Sequence, residues 1–208
     1  MLARINSLKQ GQRWNEAAEA LDAEFQRLAG AGAQALARLS ETDLLARLVE
    51  GEPTQVVRHK ALVLTTLLKE AGDVAAGRDR PEESRECYLK ALHLLLDTLA
   101  RGEVFEFPEF VPKVELLVSA LQGVALPMRT HALLMQHCER TGAFAKAEDA
   151  LFAMLEAEPD NAALVEFGLA FYQRVLAQSD AALNAANLPR AEAEEGLKEL
   201  QSWPRRGG

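Results

Sequence analysis

The apolar side chains of this chain recur every three or four residues, which is the spacing of one face of an α-helix. Residues 13–29 show the pattern clearly, and their apolar stripe consists of Trp14, Ala17, Ala18, Leu21, Phe25 and Leu28. No segment alternates apolar and polar residues for long enough to form a half-buried strand, and good helix formers dominate the composition. The pattern predicts an all-α protein.

Glycines, prolines and capping residues predict where the helices begin and end. Pro81 suits the first turn of a helix, Ser40 and Asp43 can form a cap, and Pro159 ends the helix that begins near Phe144. The sequence predicts nine or ten helices and no sheet. After residues 13–29 they span about 41–50, 55–77, 81–101, 112–122, 127–141, 144–157, 161–183 and 189–203.

Three segments of the chain are similar to one another. Each has a small residue four positions before a larger one, and the pairs are Ala17 with Leu21, Ser84 with Tyr88, and Ala147 with Leu151. The small residues lie 67 and 63 positions apart, close to twice the 34-residue period of tetratricopeptide repeats. A small side chain lets two helices of a hairpin approach closely, so we interpret these residues as points of helix contact.

The sequence resembles the tetratricopeptide repeat at Gly72, Ser84, Tyr88 and Ala91, which follow the order of that pattern. The signature tryptophan is absent. The segments "RWNEAAEALD", "SETDLLARL" and "GAFAKAEDALFAML" are also similar to a family of bacterial tetratricopeptide-like proteins without assigned activity. The resemblance implies a right-handed superhelical array of antiparallel helix hairpins with extra single helices. It would form one domain over residues 1–203, followed by a disordered tail at 204–208.

Charge and composition restrict the partners and the setting. The net charge of −8, without clustered basic residues, argues against nucleic acid as a partner. Two cysteines are too few for a disulfide framework, which favours a reducing cytoplasm. The N-terminal segment does not resemble a signal peptide, and the densest apolar stretch, "ALHLLLDTLA", is too short to cross a bilayer. We therefore expect a cytoplasmic protein that does not insert into membranes.

The candidate chemical groups are better explained by packing and solvation. His131 and Cys138 share one helix face, but no further residues complete a zinc site. The acidic pairs, such as Glu148 with Asp149, point in different directions on a helix and are interpreted as solvated faces. The sequence has no Walker motif and no nucleophile elbow. It predicts no catalytic residue, no metal and no cofactor.

The leading functional prediction is a non-catalytic module that binds a protein or peptide. A structural homo-oligomer and a chaperone of the secretion type are the alternatives. In tetratricopeptide arrays the first helix of each pair lines the concave face, so the resemblance nominates eight non-core side chains there. They are Thr66, Lys69, Asp73, Arg129, Gln136, Arg140, Glu166 and Gln173. Ordinary solvated helix faces remain the alternative interpretation of these positions.

A second candidate surface is the segment "EVFEFPEF", which contains Phe105, Phe107 and Phe110. Three phenylalanines in six residues are more than a surface linker requires. Either the segment folds back and buries them against the helices, or it presents an apolar patch to a partner.

Overall fold

The computed structural model describes residues 1–40, 43–44, 46–47, 54–102 and 107–203. In those ranges every regular element is a helix, which confirms the all-α prediction. We number eleven helices over the described residues. They are α1 (Leu2–Gln10), α2 (Trp14–Ala29), α3 (Ala33–Ala37), α4 (Thr54–Gly77), α5 (Pro81–Ala100), α6 (Val114–Ala120), α7 (Met128–Arg140), α8 (Phe144–Ala157), α9 (Ala162–Leu176), α10 (Asp180–Ala185) and α11 (Arg190–Gln201).

The chain forms two compact units, Met1–Ala125 and Leu126–Gly208. The first unit contains α1 to α6 and the second contains α7 to α11. The single domain over residues 1–203 and the tetratricopeptide-like superhelix stay predictions. The predicted tail, residues 204–208, lies outside the described residues.

Helix α4 is the central element of the first unit. It forms a hairpin with α5 and also packs against α2 and α3. The hairpin is tight because Gly72 has no side chain: a β-carbon there would lie 3.0 Å from the ring of Tyr88. Leu64, Leu67 and Leu68 of α4 are fully buried, as a helix surrounded by others requires.

The second unit is built from the α7–α8 hairpin and from α9, which packs against α8 and α11. Two glycines allow the helices to approach one another. A β-carbon on Gly168 would lie 3.0 Å from Leu151 and closer still to Leu200. A β-carbon on Gly196 would lie 2.6 Å from Cζ of Tyr172, which is itself fully buried. Both glycines therefore mark backbone positions that no larger residue fits without a shift.

Three turns between helices share one backbone geometry. Gln12, Asp79 and Gly142 each have a positive φ, of 54°, 58° and 74°. In each turn the amide of the residue after the one with positive φ donates to the carbonyl five residues before it, at N···O distances of 2.9, 2.9 and 2.8 Å. The following helix begins at the residue after that amide. This is the hydrogen-bond pattern of a Schellman turn, which reverses the chain sharply after a helix.

The three equivalent turns coincide with the three similar sequence segments. Ala17, Ser84 and Ala147 each lie five residues after the residue with positive φ, and all three are buried. Among the other left-handed residues, Asn187 lies in a turn with no counterpart in the sequence alignment, and the helix after it begins one residue later than in the three equivalent turns.

Some helix ends differ from the sequence predictions. The helix predicted over 161–183 is two helices, α9 and α10, because the Ser179 hydroxyl accepts from the amide of Ala182 at 3.2 Å and caps a new helix. The predicted cap at Ser40 is present, since the Asp43 amide donates to the Ser40 hydroxyl at 3.1 Å. Much of the helix predicted over 41–50 lies outside the described residues. Helices α1 and α3 were not predicted.

Candidate functional site

The first nominated position, Thr66, is part of the interior of the first unit. Its side chain is 3% exposed, its hydroxyl donates to the Leu62 carbonyl at 3.0 Å, and it lies 3.3 Å from the Phe110 carbonyl. The prediction that Thr66 is a non-core side chain is wrong, because the segment that contains Phe110 covers this part of α4.

Lys69 and Asp73 lie in a cluster of charged side chains at the contact of α1, α4 and α5. We call Lys9, Lys69, Glu70, Asp73 and Tyr88 the ionic cluster. The Lys69 ammonium donates to Glu70 and to Asp73, both at 3.0 Å. Lys9 also donates to both carboxylates, and the Tyr88 hydroxyl donates to Asp73. The two nominated residues are therefore mostly occupied by contacts within the chain.

Hydrogen bonding favours the charged forms of Asp73 and Lys69 in the ionic cluster. Burial opposes ionisation of Asp73, but the donors of Lys9, Tyr88 and Lys69 hold the pKa of its carboxyl below the ordinary value. Burial likewise opposes the charge of Lys69, but its hydrogen bonds to Asp73 and Glu70 raise its pKa. Burial and Asp73 raise the pKa of Tyr88. The hydrogen bonds and ion pairs of the cluster therefore attach α1 and α5 to α4.

The Asp73→Asn variant is expected to lower the free energy of unfolding by about 1 kcal/mol at neutral pH, between the values for exposed and buried ion pairs. A carboxyl whose folded-state pKa is lowered contributes stability above its unfolded pKa, and that contribution is lost as the pH falls through the folded value. The difference between wild type and variant should therefore shrink on acidification below about pH 5. Urea unfolding at a series of pH values measures it. The exposed Glu19→Gln is the control, and a difference that grows with acid would contradict this assignment.

The nominated residues of the second unit lie on exposed helix surfaces. They are Arg129, Gln136 and Arg140 on α7 and Glu166 and Gln173 on α9. Next to Gln173, Arg174 joins the two helices: its guanidinium donates to both oxygens of Glu139, at 2.6 and 2.9 Å. The part of the five nominated residues in binding a partner stays a prediction.

Three of the exposed apolar side chains in the first unit lie at the start of α4 or in the segment 107–110, and these two parts of the chain are in contact. Phe107 is 41% exposed and Phe110 37%, so neither is buried, while Phe105 lies outside the described residues. The Phe110 and His59 rings form a T-shaped contact with their centroids 6.4 Å apart. Val56, 38% exposed, is one helical turn before His59. We call Val56, His59, Phe107 and Phe110 the aromatic patch.

The side chains considered for chemistry pack as the sequence suggested, with one exception. Cys87 and Cys138 are buried thiols, and burial raises the pKa of Cys87 to about 12. Over the described residues, no three His, Cys, Asp or Glu side chains are grouped so as to hold a metal ion. Glu148 is the exception, because it is not a fully solvated acid.

Glu148 is half-buried and accepts a hydrogen bond from the Tyr172 hydroxyl, beside Gly196. Burial, together with the nearby carboxylates of Glu192, Asp149 and Glu199, raises its pKa despite that bond. The sequence signal for this contact was the glycine within the predicted last helix, which allows α11 to approach Tyr172.

None of the helices in the described ranges is both long enough and apolar enough to span a bilayer. Residues 22–203 match the family of unknown function DUF6483, and the chain therefore belongs to this family. We found no match to the chain among curated proteins or among solved structures.

Proposed function

We propose that this member of the DUF6483 family is a non-catalytic, cytoplasmic module that binds a protein partner through the aromatic patch. The observation that carries the proposal is the exposure of Val56, Phe107 and Phe110, together with the contact of the Phe110 ring with His59 of α4. Exposed aromatic surface is unfavourable in water, and aromatic side chains are enriched among the residues that dominate protein interfaces.

The geometry of the patch favours an apolar segment of the partner as the ligand. The Phe110 ring is held against His59 through an edge contact, and its backbone carbonyl lies beside the Thr66 hydroxyl. These contacts hold the Phe110 ring in one position before a partner binds, which lowers the entropic cost of binding. The groove predicted along Thr66, Lys69 and Asp73 is a weaker candidate, because those side chains are buried or bound within the chain.

A second copy of the chain is the alternative partner, since an exposed apolar patch can also pair with itself. Light scattering on the purified protein separates the two cases. A dimer that Phe110→Asp converts to a monomer would identify the partner as a second copy.

The proposal is tested by affinity capture from native cell extract with the wild type and two variants. Phe110→Asp places a charge in the patch and should reduce recovery of the specific partner at least tenfold, or about 1.4 kcal/mol. Leu116→Asp is the matched control, because Leu116 is also an exposed apolar residue of the first unit, on α6. Both variants should retain the wild-type melting temperature. Equal recovery of the partner with Phe110→Asp and with the wild type would reject the patch.

A further inference from the structure

Two of the equivalent turns border a groove in the first unit. The turn between α1 and α2 contributes Gln12, Arg13, Trp14 and Asn15, and the turn between α4 and α5 contributes Arg78 and Arg80. The groove is open to solvent and has a volume of about 450 Å³. We call it the turn groove. Since an α-helix rises about 1.5 Å per residue, the turn groove lies about 30 Å along α4 from the aromatic patch.

The turn groove carries an excess of positive charge. Arg13, Arg78 and Arg80 line it, against the single carboxylate of Glu16 among its lining residues. Arg13 pairs with Glu16 and Arg80 with Glu83, but each pair joins residues three apart at the start of a helix and both arginines are exposed, so a ligand can compete for them at little cost. Arg78 makes no ion pair with any part of the chain that the structure describes. It also lines an adjoining cavity of about 190 Å³.

The indole of Trp14 forms a fixed wall of the groove. A β-carbon on Gly77 would lie 2.6 Å from the indole, so the ring packs directly on the backbone at the end of α4. The ring is half-buried, and within the described residues its N–H makes no hydrogen bond. The groove therefore combines guanidinium donors with an indole wall, and the guanidinium groups suit an acceptor that carries negative charge.

We propose that the turn groove binds an oxyanion, the carboxylate or phosphate group of a ligand, with Arg78 as the main contact. The planar fork of a guanidinium matches the oxygens of both groups. Arg13, Arg80 and the Trp14 ring line the groove around the position that the anion takes. This site is separate from the aromatic patch and does not depend on the proposed function.

Trp14 provides the readout for a test on the full chain. The protein has two tryptophans, so Trp203→Phe leaves Trp14 as the only one. Its fluorescence is titrated with sodium phosphate and, separately, with sodium succinate, at an ionic strength held constant with sodium chloride. We expect a saturable change with at least one anion. A response to phosphate alone identifies a phosphate site, a response to succinate alone a carboxylate site, and a response to both the shared chemistry.

Variants in the Trp203→Phe background identify the contact. Arg78→Gln and Arg80→Gln should each weaken binding, Arg78→Gln about tenfold or more, because a bidentate charged contact is lost. Arg85→Gln is the control, since Arg85 is an exposed arginine that pairs with its neighbour Glu82 and does not line the groove. The absence of a saturable change with either anion, or an unchanged affinity in both groove variants, would overturn the proposal.

Discussion

Replacing Gly196 by valine is expected to lower the free energy of unfolding by about 3 kcal/mol, the upper part of the usual range for overpacking a core. Gly196 lies on α11 against the Tyr172 ring, and a β-carbon there would lie 2.6 Å from Cζ of that ring and 2.9 Å from the Glu148 carboxylate. Tyr172 is fully buried and cannot turn aside, so the added side chain must push α11 away from α9. The hydrogen bond between Tyr172 and Glu148 would be lost as well.

Glu195→Val is the matched control for this effect. Glu195 is the preceding residue of α11 and is exposed, so the same side chain there costs only helix propensity, about 0.5 kcal/mol. Chemical denaturation of both variants measures the difference. Similar midpoints for the two would show that α11 does not pack on Tyr172 as described.

Replacing Ala147 by leucine is expected to lower the free energy of unfolding by about 2 kcal/mol, because the α7–α8 hairpin has no space for a larger side chain. Ala147 is fully buried, and it lies five residues after the left-handed Gly142 of the turn. The control is Ala157→Leu, on an exposed position near the end of the same helix. If both leucines were tolerated equally, the small residues of the three aligned segments would not be helix contact points.

Local signals in the sequence predicted much of the fold. The bounds of α2 and α8 agree closely with the predicted helices, because an apolar stripe of period 3.6 and flanking glycine or proline are properties of the segment itself. The alignment of the three similar segments is matched by three equivalent turns, but the left-handed residues Gln12 and Asp79 in two of them were not predicted. Helix α1 was missed because it buries only Ile5 and Leu8, too few for a periodic pattern.

The errors concern contacts between segments that are distant in the sequence. Thr66 is buried because the segment 107–110 folds over α4. Nothing in the sequence next to Thr66 indicates that a distant segment covers it. Asp73 is paired with Lys9, more than 60 residues away, as well as with Lys69 on its own helix. Glu148 is half-buried because Gly196 has no side chain, which allows α11 to pack beside it. Each depends on which helix packs on which face, and helical periodicity does not specify the neighbour of a face.

The proposed role of the aromatic patch is tested most directly by site-specific photo-crosslinking in the native cell. A photo-activatable phenylalanine analogue replaces Phe110 in one strain and Gln136 in another, since Gln136 is an exposed residue on the helix face that the tetratricopeptide resemblance nominates. We predict a discrete crosslinked protein from position 110 and none from position 136. Crosslinks from position 136, with none from position 110, would contradict the aromatic patch as the binding surface.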